Sequence, residues 1–511
     1  MIKFQINKII FLLFVLGQMA GCATISFDQP KSSSHSFDNV LDTSIGKDVD
    51  EWVSEHGGAS GFYPLLEGMD ALGVRLRLAE RAEKSLDLQY FLMKDDTAGV
   101  VMAKALLKAA DRGVRVRFLL DDVFTTAPDR ILMLLNQHPQ IQIRMFNPVS
   151  RSGSGSLNFL GDFKRANRRM HNKSFTADNS ISVIGGRNIA DEYFQLKDDS
   201  LFIDLDIVAV GPVVPEISDS FDDFWNHSHA VPLEQFVINK NNEQLEDFRI
   251  EVGEELKNIY DTVYSQALQS HLLQDLISDR LQLFPAEARV LSDTPEKLTS
   301  SISTEQMRLA AELLQAIHMA DEEILFITPY YVPGKRGVEF VRGLVNHGAR
   351  VVVVTNSLAS NNHVAVHSGY ARYRRDVIEA GVELYEARAN AGPVKQGQTE
   401  ASQNLTLHTK TILLDRRQVF IGSLNIDPRS IEINSEMGLL IDSEDMVGKM
   451  AEAIDKAIAE MTYRVDINEH GELEWRATID DKEVVETKEP LTSWWLRTKA
   501  WFFKIAPESQ L

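Results

Sequence analysis

Two histidine–lysine pairs carry the chemistry this sequence could do. His171 and Lys173 are followed by Asp178, and His408 and Lys410 by Asp415, so His-x-Lys-x4-Asp is written twice. In an extended segment residues i and i+2 point the same way, which puts each imidazole beside its ammonium. A neutral imidazole is a nucleophile, and a neighbouring ammonium attracts phosphate oxygens. Two such pairs brought face to face suit attack on a phosphodiester: one imidazole bonds to phosphorus and the other protonates the departing alcohol. The lysines and the amides of Asn188 and Asn425 would stabilise charge on the equatorial oxygens. A metal centre fits less well, because an ammonium does not coordinate and no tight Cys, His or Glu cluster accompanies either pair. No cofactor is expected. Asp178 and Asp415 complete the catalytic motifs but fall outside the i+2 series, and are expected to fix loop geometry rather than touch substrate.

The elements that must position these pairs are themselves repeated. Ala82–Asp96 (AEKSLDLQYFLMKDD), the helical MAKALLKAADRG and Val114–Asp122 make one strand–helix–strand unit. Ala320–Val332, VEFVRGLVNHG and Ala349–Ser357 make another. Gly113 and Gly348 mark the helix ends, and the pattern predicts parallel βαβ units. The valines and arginines of VRVRF alternate, as in a partly exposed strand. The motif segments His171–Asn188 and His408–Asn425 match at a constant shift of 237 residues. A core histidine explains one lone match but not a multi-position one repeated at a fixed shift. The expected fold is therefore α/β, with two pseudo-symmetric αβα halves, roughly 60–270 and 271–465, packed face to face around one active site. Asn239–Arg289 is read as a helix-rich, acidic connection.

The chain has 511 residues and a formal charge of −21. So acidic a surface repels nucleic acid, which is not expected as a partner. The single cysteine, Cys22, excludes an intrachain disulfide. Lys3 and Lys8 precede an apolar run, Ile9–Leu16, too short to span a bilayer at about 20 residues but suited to a signal peptide. Small residues directly before Cys22 predict a lipobox, with residues 1–21 removed and Cys22 lipidated. Residues 22–59 then read as a flexible tether. The tail, 466–511, carries Trp494, Trp495, Trp501, Phe502 and Phe503 among Arg497, Lys499 and Lys504 on a predicted helix. That composition suits a membrane interface or a helix docked on the body, and both can hold at once.

Two HxKxxxxD motifs, each followed by Gly-Gly or Gly-Ser and an Asn (Gly185-Gly186-Arg187-Asn188 and Gly422-Ser423-Leu424-Asn425), resemble the phospholipase D superfamily over residues 60–465. NRRMHNKSFT, GGRNIADEYF, DLDIVAVGPVV, TNSLASNNHVAVHSGYARYRR and FIGSLNIDPRSIEINSEMG are similar to the cardiolipin synthases of Gram-negative bacteria, the C type in particular. The resemblance implies a metal-independent, two-step reaction through a phosphohistidine, with His171 as nucleophile and His408 as acid. The sequence itself does not break that symmetry. It also implies an acidic residue orienting each histidine, for which Asp206 and Glu436 are the candidates. It implies transfer of a phosphatidyl group between phospholipids at a membrane, phosphatidylglycerol accepting and phosphatidylethanolamine or phosphatidylglycerol donating. Hydrolysis by the same chemistry is the alternative. A nuclease ranks below it, and a non-enzymatic scaffold is opposed by the intact pairs. The lipobox suggests a periplasm-facing envelope location with inner or outer membrane open, and a helper protein is left open.

Beside the first motif stand Lys164, Arg165, Arg168 and Arg169, candidates for holding anionic head groups. Arg372, Arg374 and Arg375, with Tyr370 and Tyr373, form a second basic cluster, for which a plain helical surface is an equal alternative. Arg151–Asp162 is Gly- and Ser-rich yet carries Leu157, Phe159 and Leu160, which fits either a lip over acyl chains or a surface loop.

Overall fold

The computed structural model of the protein describes residues 25–151, 158–159, 161–197, 200–237, 243–255, 262–263, 265–267, 282–300, 306–392 and 404–505. The expected signal peptide and Cys22 lie outside the described residues, as does most of the Gly/Ser-rich segment 151–162.

The apolar runs of each repeat become strands, and the amphipathic segments between them cross over as helices. The first half holds β1 (Ser60–Leu65), β2 (Ser85–Tyr90), β3 (Arg115–Asp121), β4 (Ile141–Phe146), β5 (Ser174–Ala177), β6 (Ile181–Gly185), β7 (Ser200–Ile203), β8 (Asp206–Val210) and β9 (Ala230–Pro232). The second holds β10 (Phe284–Ser292), β11 (Glu323–Ile327), β12 (Arg350–Asn356), β13 (Glu383–Ala387), β14 (Asn404–Leu407), β15 (Thr411–Leu414), β16 (Gln418–Gly422), β17 (Met437–Asp442), β18 (Thr462–Ile467), β19 (Leu473–Ile479) and β20 (Lys482–Glu486). The helices used below are α1 (Ser44–Glu55), α2 (Thr97–Asp111), α3 (Gly334–Asn346), α4 (Val364–Tyr370) and α5 (Trp494–Phe503).

The predicted βαβ units are β2–α2–β3 and β11–α3–β12, each with a parallel strand pair. Gly113 and Gly348 end the two helices at φ 94° and 105°, a left-handed turn that glycine adopts without a Cβ clash. Pairing runs β9-β4-β3-β2-β5-β6-β8-β1 in the first half and β10-β17-β16-β15-β11-β12-β13-β18-β19-β20 in the second. Antiparallel β1 and β10 join them, with Phe62 opposite Phe284, so one sheet crosses the whole molecule. A shared core of Ile184, Ile207, Val213 and Ile217 from one half and Leu413, Val419, Ile421 and Leu439 from the other fills the space between them. Buried aliphatic surface of this kind is what holds two halves as one body.

Four expectations need correction. Residues 27–37 are no free tether. Phe27 stacks on His229 with ring centroids 4.1 Å apart, and Lys31 Nζ donates to Ala230 O at 2.9 Å. The carbonyls of Ser32 and Ser34 accept from Arg144 and Arg117 at 2.6 and 2.8 Å. The same strap explains why VRVRF is not an exposed strand: Arg117 is fully buried, ion-paired with Asp87 at 2.6 Å and Asp222 at 2.7 Å. Lastly, Arg289 belongs to β10, so the connection between halves ends earlier. The second half also runs past residue 465, because β19 and β20 extend its sheet.

Candidate active site

Each His-x-Lys stretch is extended and leads straight into a short strand, His171–Lys173 into β5 and His408–Lys410 into β15. Both strands are entirely buried and apolar-facing, which fixes the stretches before them. Lys173 Nζ donates back to His171 O. Lys410 Nζ donates to His408 O at 2.5 Å and lies 3.3 Å from the ring Nε2. The shared face of imidazole and ammonium is therefore as the i, i+2 spacing predicts.

The backbone brings each histidine a carboxylate from the other half. His171 N donates to Ser435 O at 3.0 Å, and Ser435 N to Arg169 O at 3.1 Å. On the other side β7 and β14 pair in parallel with Ile203 opposite Leu407, and His408 N donates to Ile203 O at 2.7 Å. The residues that follow Ser435 and Ile203 are Glu436 and Asp204. His171 Nδ1 lies 2.8 Å from Glu436 Oε2, and His408 Nδ1 lies 2.6 Å from Asp204 Oδ2. A proton on each Nδ1 directed at a carboxylate leaves Nε2 with its lone pair free.

Glu436 was expected beside a histidine, and it contacts His171. Asp206 was also expected, and it is not there. Its Oδ2 takes Arg75 at 2.8 Å and its Oδ1 accepts from Arg187 N at 3.2 Å. It anchors buried arginines, and Asp204, two residues earlier, takes the histidine. The strand register, rather than the constant shift of 237, shows the equivalence. β6 pairs Gly185 with Asp206, while β16 pairs Gly422 with Gly438, so Asp206 matches Gly438 and Asp204 matches Glu436.

Asp178 and Asp415 sit at the far ends of β5 and β15, at φ 49° and 51°. Six residues separate each from its histidine, about 20 Å of extended chain. Asp178 accepts from the amides of Glu83, Lys84 and Ser85, and Asp415 from those of Asp321, Glu322 and Glu323, all at 2.8–3.0 Å. They clamp the start of β2 and β11. Grouped with the catalytic residues from the motif, they are here turn residues outside the reacting centre, in line with the loop role their spacing suggested.

Aromatic rings wall the pocket. Phe91 meets His171 edge-on at 4.7 Å, and Tyr193 and Phe202 flank His408 at 5.1 and 5.5 Å. Ser423 Oγ donates to Glu436 Oε2 at 2.5 Å, while the matching Gly186 leaves room beside Asp204, where a Cβ would come within 2.2 Å of Oδ1. Asn188 Nδ2 donates to Tyr193 OH at 3.1 Å, and Asn425 Nδ2 to Ser430 Oγ at 3.3 Å. The other amide atom of each asparagine is buried with no partner among the described residues.

Burial, reinforced by Lys173 and Lys410, holds His171 well below the ordinary imidazole range. Burial and Lys410 bring His408 down to about 3, so both rings are neutral at pH 7. Burial also lowers Lys173 to about 7 and Lys410 to about 8. Glu436 is pushed up to about 7 by burial, against the pull of Lys173. Asp204 feels the same burial, but His408 and Lys410 outweigh it and hold the carboxyl below its usual range. Each half's lysine acts on the other half's histidine, so the pairs share one electrostatic pocket.

The cations before His171 divide. Arg169 is fully buried on Asp121 at 3.2 Å, which removes it from head-group binding. Arg165 is bonded to Asp162 and Asn147. Lys164 is exposed, and the Arg168 guanidinium donates to the carbonyls of Lys297 and Ser300. Arg429, which sequence reasoning missed, grips Asn167 at 2.7 and 2.8 Å and is among the charges that lower His171. In the second basic cluster Arg374 is buried between Glu386 and Glu489 at 2.8 and 2.9 Å, a structural role.

With this geometry in place, the chain was compared with known proteins. The family described as cardiolipin synthase, PLD-like domain, matches residues 76–225 and 313–458, one match on each half. The chain belongs to this cardiolipin synthase family. Among its relatives in the family, cardiolipin synthase C of Escherichia coli (strain K12) is 39% identical over 463 residues, covering 89% of this chain and 96% of that one. A cardiolipin synthase of Oceanobacillus iheyensis is 25% identical over 398 residues, covering 78% of this chain and 68% of the relative. Beyond the cardiolipin synthases, the phosphatidylserine synthase of Haemophilus influenzae Rd KW20 shares the fold, with a TM-score of 0.53 at 13% identity over 82% of this chain and 92% of that one.

Proposed function

We propose that the protein is a phosphatidyl transferase that makes cardiolipin from two phospholipids, with phosphatidylglycerol as acceptor and phosphatidylethanolamine or a second phosphatidylglycerol as donor. The observation that carries this is the exchange of carboxylates: Glu436 on His171 and Asp204 on His408, each from the opposite half. The arrangement supplies two carboxylate-backed imidazoles with Nε2 unprotonated and two lysines, suited to a single phosphorus.

In the first step His171 Nε2 attacks the donor phosphorus. The bond from phosphorus to the head-group oxygen breaks, and His408, protonated as the anionic diester enters, gives its proton to that oxygen. In the second step neutral His408 takes the proton of the acceptor hydroxyl. That oxygen bonds to phosphorus, and the phosphorus–nitrogen bond breaks to restore His171. Lys173, Lys410 and the amides of Asn188 and Asn425, turned with NH2 toward the substrate, hold the equatorial oxygens through both steps. Choosing His171 as the nucleophile rests on the family pattern. Lys164, Arg168 and Arg429 are the candidates for the counter-charge of a second anionic head group, Arg429 being among the charges that act on His171.

The 39% identity to a cardiolipin synthase C supports the transfer reaction. A lipobox at Cys22 is the proposed attachment, placing the enzyme on the periplasmic side of the envelope. The test is product analysis. Vesicles of phosphatidylglycerol and phosphatidylethanolamine are incubated with the protein and their lipids identified by mass spectrometry. Cardiolipin is expected; phosphatidic acid without cardiolipin would assign water as the acceptor and overturn the transfer reaction.

A further inference from the structure

The C-terminal helix is amphipathic in an inverted sense. Its inner side is docked on α4: Ser368 Oγ donates to Ala500 O at 2.7 Å, and Arg372 donates to Lys504 O. Glu489, just before the helix, is held by Arg374 at 2.9 Å. Leu496, Ala500 and Phe503, spaced i, i+4, i+7, form this docked face. The opposite side is bare. Trp494, Trp495, Trp501 and Phe502 are 63–73% exposed, and Ile505 just beyond is 76% exposed. At about 100° per residue these five fall on one stripe, with Lys499 on one flank and Lys504 on the other. Contiguous exposed aromatic surface on a rigidly held helix marks an interaction site rather than scattered surface residues.

We propose that this stripe is the surface by which the body lies on a bilayer containing anionic lipid. Tryptophans at a polar–apolar boundary with flanking lysines match the head-group region of a membrane. In a chain of net charge −21, the cations on both sides of this stripe supply local complementarity to anionic lipid. No described helix is long and apolar enough to cross a membrane, so α5 is read as lying on the surface. α4 in turn follows His363, whose ring meets Tyr330 at 5.5 Å. The inference stands on this surface and does not require transfer rather than hydrolysis.

The three exposed tryptophans report on the helix itself, however the N-terminus is held. The full chain is mixed with vesicles of phosphatidylcholine and phosphatidylglycerol whose acyl chains carry bromine, a contact quencher of indole fluorescence. Quenching is expected in the parent and is expected to be lost in Phe502→Asp/Ile505→Asp, which keeps every tryptophan. Lys499→Glu/Lys504→Glu should abolish the preference for vesicles with phosphatidylglycerol. Turnover on a soluble short-chain phospholipid should be unchanged in Phe502→Asp/Ile505→Asp, while turnover on vesicles falls. An unquenched parent, or equal quenching in Phe502→Asp/Ile505→Asp, overturns the proposal and leaves the stripe to a protein partner. Either result leaves the transferase assignment untouched.

Discussion

Glu436 Oε2 lies 2.8 Å from His171 Nδ1 although 265 residues separate them, and the contact crosses from one half of the molecule to the other. The reciprocal contact, Asp204 to His408, is 2.6 Å. Each imidazole is thus oriented by a group that its own half does not supply. The first prediction follows from the second of these contacts.

Asp204→Asn should leave the fold intact but lower kcat by roughly 10²–10⁴-fold, because the amide no longer fixes the His408 tautomer or stabilises its protonated form. Asp206→Asn should do the reverse. It strips the counter-charge from buried Arg75 and Arg187, costing about 3 kcal/mol of stability, with turnover per folded molecule largely kept. Thermal unfolding and steady-state kinetics on the two variants, side by side, separate the roles. Equal kinetic loss in both would sink the assignment of Asp204.

His171→Ala should remove product formation to the detection limit without unfolding the chain. His408→Ala should slow both steps while His171 still accepts the phosphatidyl group. Mass spectrometry of peptides from a quenched reaction reads which histidine carries the adduct. A phosphatidyl group on His408 in the His171→Ala protein would exchange the two roles.

The pH dependence of anion binding has a definite sign. Burial brings Lys173 to about 7 and Lys410 to about 8, so their charges are lost as pH rises through that range. A bound oxyanion favours the ammonium forms and raises both values. Vanadate, as a phosphate mimic, should therefore bind more weakly above pH 8 and take up protons from the buffer as it binds there. Calorimetry in two buffers of different ionisation enthalpy measures that uptake. Lys410→Met should reduce it, and proton release in the parent would contradict the electrostatics.

Asp178→Ala removes the acceptor for three amides at the start of β2, and Asp415→Ala does so for β11. The Asp178 loss should be larger, about 2–4 kcal/mol, since the Ser85 amide is buried while the Asp415 partners lie nearer water. Denaturant unfolding measures the difference. Neither change should alter turnover per folded molecule, and a large kinetic defect in a stable Asp178→Ala protein would place that carboxylate in the chemistry after all.

Much of this was legible in the sequence because it is periodic. The doubled His-x-Lys, the βαβ units and the helix-ending glycines all repeat, and repetition separates signal from accident. Asp204 was missed by two residues because the acidic candidate was chosen by its place before an apolar strand, and because the copies differ in length between the glycine and the carboxylate, so that only the strand register puts Asp204 in the place of Glu436. The burial of Arg117 was not legible, since what covers it is a strap from some eighty residues earlier, a contact with no local trace. The backbone pairing of Ser435 with Arg169 and His171 is equally nonlocal. The outward stripe of α5 is different: its spacing can be read from the residues alone, but which side faces the body cannot.

The crossed pairing of β7 with β14, and of Ser435 with the segment before His171, bears on ancestry. A gene encoding only one half would make a chain whose histidine lacks its carboxylate and whose carboxylate lacks its histidine. Such a product could work only by associating with an identical copy about a twofold axis. Duplication and fusion would then have converted a concentration-dependent assembly into a permanent one, and freed Gly186 and Ser423 to diverge.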